Sequence, residues 1–143
     1  MDSVFAGVGR GFYPIFTLFL PYFLLYFTLF LLYFGNMILY IEDCPLQGMI
    51  YKNMMKYHLG QDLVIHASEF DIDLLKHFNF KLAIIDWCND SPNHDPLEIK
   101  RILEANNIVA KITSADFNDN ICIAKSNLIL ESLNLYKNLL IKK

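Results

Sequence analysis

The sequence predicts an α/β protein: one N-terminal transmembrane helix, a small mixed-sheet α-β-β-β-α-β domain, and a long C-terminal helix. Three observations carry this expectation. Gly11 to Ile41 contains no charged residue and reads almost entirely as Phe, Leu, Tyr, Ile and Met. The continuous apolar run KLAIIDWC (81–88) ends in polar turn formers, as a strand buried on both faces would. Between the short apolar runs lie segments with apolar residues at helical spacing.

The apolar head comes first. A charge-free run longer than about 18 residues is the pattern of a membrane-spanning helix. No small-residue cleavage site follows it, so residues 1–43 read as a retained anchor rather than a removed signal. A bend at Pro21 would absorb excess length, and Tyr13 and Tyr40 would stand at the two interfaces. The inner tyrosines, Tyr22, Tyr26 and Tyr33, would bury a hydroxyl in hydrocarbon or pair it with a neighbouring helix. Arg10 precedes the run while Lys52 and Lys56 follow it, which leans toward a cytoplasmic C-terminal domain.

Residues 44–143 form the second part, one small α/β domain with a single core. Met49–Leu59 has apolar residues at helical spacing and ends at Gly60 as a C-cap. Leu63–Ala67 is a compact strand, and Ser68–Asp71 a turn or a short helical piece. Ile72–Phe78 is too short for periodicity to decide and fits a strand or a helix. After the strand at 81–88, NDSPNHD (89–95) is a loop rich in turn formers. Asp95 is placed as N-cap and Pro96 at the first position of a helix reaching Ala105. Ile108–Ile112 is another strand. Ile121–Ile141 reads as the long helix, closed by Lys142 and Lys143 with the charge sign its dipole prefers.

Charge and cysteine usage narrow the function classes. The net charge is −3, and from Cys44 onward 11 Lys/Arg face 12 Asp/Glu, with Arg101 the one guanidinium. There is no basic stripe, which speaks against nucleic acid as a partner. Cys44, Cys88 and Cys122 are odd in number and lack CxxC spacing, so they read as reduced, buried thiols rather than a disulfide framework or zinc site. No Gly-rich phosphate loop follows any strand, and no small-molecule ligand is inferred.

Three stretches, MIYKNMMKYHLGQDLVIHASE, FDIDLLKHFNFKLAIIDWCNDSPNH and DPLEIKRILEANNIVAKI, together resemble bacterial membrane-anchored proteins with a degenerate restriction-endonuclease-like, PD-(D/E)xK, domain. In that family a strand ending in an acid leads to a D-x-S-x-H-like loop, a helix and a further strand. The matching stretches here are IIDWCNDSPNH and LEANNIVAKI, and the resemblance covers about Met49 to Ile112. Active members hold Mg²⁺ with two acids and use a lysine to stabilise charge. The resemblance maps the acids, as catalytic and metal-binding groups, onto Asp73 and Asp86. Cys88 stands where the lysine would be, with Lys100 as a substitute.

This departure implies a docking or structural subunit of a multi-protein membrane assembly, such as a secretion or conjugation machine, in contact with the lipid bilayer and other membrane-complex subunits. It would need no cofactor. The alternative is a membrane-tethered nuclease dependent on Mg²⁺. His94 is loop surface, a ligand or a general base, and Trp87 is expected to pack in the core or on the long helix. A third reading is a doubly wound domain whose strands LVIHA, KLAIID and IVAKI run parallel. Strand order separates it from the nuclease-like core.

Overall fold

The computed structural model describes residues 20–26, 36–115 and 122–141. The chain divides into two units, Met1–Phe34 and Gly35–Lys143. In the first, residues 20–26 are helical and exposed. The second is built from β1 (Met37–Ile41), α1 (Pro45–Leu59), β2 (Val64–Ala67), α2 (Leu74–His77), β3 (Phe80–Asp86), α3 (Pro96–Ala105), β4 (Val109–Ser114), β5 (Cys122–Ala124) and α4 (Leu128–Ile141).

The five strands form one sheet in the order β2-β1-β3-β4-β5, and every pairing is parallel. This corrects the expectation of a mixed, restriction-endonuclease-like sheet. The strands follow the doubly wound reading instead. Hydrophobicity identifies a strand buried on both faces but carries no information about the direction of its neighbour.

A second correction concerns the apolar head. Its last five residues, Met37–Ile41, are a strand at the heart of the sheet, each at most 5% exposed. A run of apolar residues describes a doubly buried parallel strand as well as a spanning helix, so the run had concealed a strand. Among the described residues no helix is long and apolar enough to cross a membrane. The spanning helix that supported the expected membrane localisation is therefore not found there. Residues 11–19 and 27–35 of the run, with Tyr13 and Tyr33, lie outside the described residues.

The helices follow from local signals. Pro45 opens α1 at its first turn, and Gly60 closes it in the left-handed region (φ 73°), its N–H donating to the Lys56 carbonyl at 2.8 Å. Asp95 caps α3, its Oδ1 accepting from the Glu98 N–H at 3.2 Å. The undecided stretch 72–78 contains the one-turn helix α2. The expected helix from Ile121 instead begins as β5, passes through a 3₁₀ turn (Lys125–Asn127), and becomes helical only at Leu128.

α1 and α4 pack side by side. The chain reverses direction along the sheet after β2, and right-handed crossovers then place α3 on the opposite face, against β3 and β4. The core is the two-sided filling of this sandwich: Ile38, Tyr40, Leu82 and Ile84 in register on one face, Leu39, Ile41, Ala83, Ile85, Ala110 and Ile112 on the other. The β4–β5 connection is short, residues 115–121, where a parallel crossover ordinarily takes about a dozen residues or more.

Candidate functional site

In an open parallel sheet of order 2-1-3-4-5, β1 and β3 lie side by side but send their following connections to opposite faces. A crevice opens beyond their C-terminal ends, the usual place for a ligand in doubly wound folds. Here both strands end in acids. β1 runs into Glu42 and Asp43, and β3 ends at Asp86. Ligand oxygens of the three carboxylates lie within 4.8 Å of one another. Glu42 and Asp86 are 1% and 2% exposed, which is unusual for ionisable groups and demands partners.

The main partner is Lys125, delivered by the turn after β5. Its Nζ lies 2.9 Å from Glu42 Oε2 and 3.1 Å from Asp86 Oδ1, and donates to Gln47 Oε1 at 2.9 Å. Glu42 has further donors. The Tyr40 hydroxyl donates to its Oε2 at 3.2 Å and the Cys44 N–H to its Oε1 at 3.1 Å. Asp43 Oδ2 accepts from the Asp90 N–H at 2.9 Å, which ties the loop after β3 to the end of β1. Thr113, fully buried on β4 and in register with Asp86, donates through Oγ1 to the Ile123 carbonyl at 2.8 Å.

The electrostatics follow from this packing. Burial drives the Asp86 carboxyl above its ordinary pKa; Lys125 opposes the rise, and the charges of Glu42 and Asp43 add to it. The Asp90 N–H holds Asp43 below its ordinary value. Burial would pull Lys125 down, but its bonds to Glu42 and Asp86 outweigh this and hold it above its usual range. The site thus carries three acids against one ammonium at close quarters. Such oxygen-only, acid-rich surroundings suit a hard divalent cation, for which Glu42, Asp43 and Asp86 are the available holders.

Of the residues singled out from sequence, only Asp86 belongs to this cluster. Asp73 is exposed on the turn before α2 and pairs with Lys76 at 3.0 Å. Lys100 sits on α3 and pairs with Glu104 at 2.8 Å. His94 Nε2 lies 2.7 Å from the Asp86 backbone carbonyl, so the histidine braces the loop rather than the carboxylate. Trp87 is 44% exposed and does not pack in the core, because it follows the last residue of β3, where the chain leaves the sheet. Cys88 is exposed, and Cys44 and Cys122 are half-buried rather than buried. Sequence reading missed Glu42, Asp43, Thr113 and Lys125. A usable signal was present: two apolar runs, MILYI and KLAII, each end directly in acids.

No family model matches this chain, and comparison with curated proteins gives no match. Among solved structures, the chain is similar to a response regulator from Thermotoga maritima at 18% identity. The match covers 69% of this chain and 76% of that one, with a TM-score of 0.45.

Proposed function

We propose that the Gly35–Lys143 unit is a phosphoryl-accepting module whose nucleophile is Asp86, assisted by a divalent cation such as Mg²⁺. The observation that carries this reading is the convergence of Glu42, Asp43, Asp86 and Lys125 at the switch point of a parallel sheet. A carboxylate can attack phosphorus and form an acyl phosphate. Phosphoryl transfer then demands in-line positioning and neutralisation of the phosphoryl oxygens.

In this reading an Asp86 oxygen attacks the donor's phosphorus. The bond from phosphorus to the leaving group breaks, and the leaving group departs with the electron pair. Lys125, freed from part of its pairing with Asp86 as that carboxylate becomes the acyl phosphate, turns its ammonium to a phosphoryl oxygen. The Thr113 hydroxyl, in register on the next strand, would have to release the Ile123 carbonyl to donate to another. Glu42 and Asp43 would hold the cation together with Asp86. When bound, the cation supplies positive charge against the transferring phosphoryl group.

The test uses the full chain, Mg²⁺ and a small phosphoryl donor, acetyl phosphate or phosphoramidate. Intact mass is expected to rise by one phosphoryl group, the adduct is expected to be labile to hydroxylamine, and Asp86→Asn should abolish it. Trp87 is the single tryptophan and adjoins Asp86, so its fluorescence should respond to Mg²⁺ with beryllofluoride. Absence of both the mass gain and the fluorescence response would overturn the reading.

A second reading, protein docking, is favoured by α1. Leu46, Met49, Ile50, Met54 and Tyr57 fall at helical spacing and are 41–81% exposed, an apolar stripe that a partner would cover. A photo-crosslinking residue at position 54 should capture a polypeptide in cells, while one at position 76 should not.

A further inference from the structure

Tyr40 is the fourth of the five residues of β1, 1% exposed, where an aliphatic side chain would satisfy the core without a polar atom to accommodate. Its ring stacks on Tyr51 of α1 with centroids 4.3 Å apart. The strand's two-residue period puts Tyr40 and Glu42 on the same face, so the phenol reaches the carboxylate that follows it. The hydroxyl donates to Glu42 Oε2, the same oxygen that faces Lys125 Nζ, while Oε1 is held by the Cys44 N–H. Three donors from three elements therefore fix the plane of the Glu42 carboxylate before anything binds.

On the phosphoryl-acceptor reading, we infer that Tyr40 is a positioning residue, holding Glu42 in the orientation that lets it share a divalent cation with Asp43 and Asp86. It touches neither the cation nor the phosphoryl group and acts through Glu42 alone. Losing such a supporting donor ordinarily weakens a metal site tenfold or more, because the ligand must then be ordered at the moment of binding.

The experiment measures Mn²⁺ binding to the full chain from the electron paramagnetic resonance of free Mn²⁺, and in parallel the rate of Asp86 phosphorylation against Mg²⁺ concentration. Tyr40→Phe keeps the ring and its stacking. It is expected to weaken Mn²⁺ about tenfold and to raise the half-saturating Mg²⁺ concentration by a similar factor, with a smaller effect on the saturating rate. Tyr51→Phe, which removes the neighbouring buried phenol, is expected to leave both unchanged. In a Glu42→Gln background Tyr40→Phe should have no further effect, a result that does not depend on how much stability the single variant loses. Wild-type binding with Tyr40→Phe unaltered overturns the inference alone, as does an equal loss in the Glu42→Gln background. A wild-type chain that binds no Mn²⁺ and accepts no phosphoryl group overturns the phosphoryl-acceptor reading together with this inference.

Discussion

Lys125 Nζ stands 3.1 Å from Asp86 Oδ1, joining the turn after the last strand to the end of the third. The acid is 3% exposed at its side chain and the ammonium 22%, so the pair is sheltered but not sealed. Glu42 shares the same ammonium from 83 residues away in the chain. One cation thus offsets two buried carboxylates, and much of the behaviour of the site follows from its removal or competition.

Lys125→Met should destabilise the fold by about 3 kcal/mol, the lower end of the cost of leaving a buried charge unpaired, since the ammonium keeps some solvent contact. Urea unfolding measures it. Mg²⁺ should restore part of the loss, because a bound divalent ion would neutralise the same carboxylates; no rescue by Mg²⁺ would count against Glu42 and Asp86 as cation holders.

The pH dependence has three parts. The folded pKa of Asp86 lies above its ordinary 3.8, so its contribution to stability is fully present below 3.8 and is lost as pH rises through the folded value. Asp43 behaves oppositely: its contribution is present above 3.8 and is lost as pH falls through its lowered folded value. That of Lys125 is present below 10.5 and is lost as pH rises through its raised folded value. In urea titrations across pH, Asp86→Asn should remove the first part and shrink the third, because Asp86 is one of the two acids that raise Lys125. Mg²⁺ binding to the wild type should weaken as pH falls through the folded value of Asp86, because the cation competes with a proton there.

Gly48 and His66 supply a sharper steric test. The His66 ring lies so close to Gly48 in α1 that an added Cβ would overlap it, and its Nε2 is 2.6 Å from the Glu42 carbonyl. Gly48→Ala would gain about 1 kcal/mol of helix propensity. The overlap should outweigh it, giving a net loss of about 1–2 kcal/mol. His66→Ala in the same chain should recover the helix gain, and a double-mutant cycle from thermal melts reads the coupling directly.

Tyr51→Phe is the counterpart to Tyr40→Phe. The Tyr51 and Ser132 hydroxyls are buried and neither makes a well-aligned hydrogen bond, whereas Tyr40 has Glu42. Deleting a hydroxyl without a good partner should change stability by no more than about 0.5 kcal/mol, or raise it. A loss above about 1 kcal/mol on urea unfolding would show that Tyr51 has a partner in solution.

Local chemistry was legible. Gly60 announces the end of α1, Asp95-Pro96 the start of α3, and the apolar runs at 81–88 and 108–112 the strands found at Phe80–Asp86 and Val109–Ser114, because each depends on neighbours a few residues away. Residues 122–124 read as the start of a helix, since three apolar residues ahead of a long helical pattern share its periodicity, and only the free edge of β4 makes them a strand.

The sequence by itself determined which segments are apolar enough to be buried, where α1 ends, where α3 begins, and that Lys81–Asp86 lies within a strand. Tertiary structure alone decided that Met37–Ile41 is the strand beside it, that all five strands run parallel, and that Glu42, Asp43, Asp86 and Lys125 meet. The reason is physical: burial and capping are properties of a residue and its near neighbours, whereas this site is made by strand order and register, which bring together residues more than 80 positions apart.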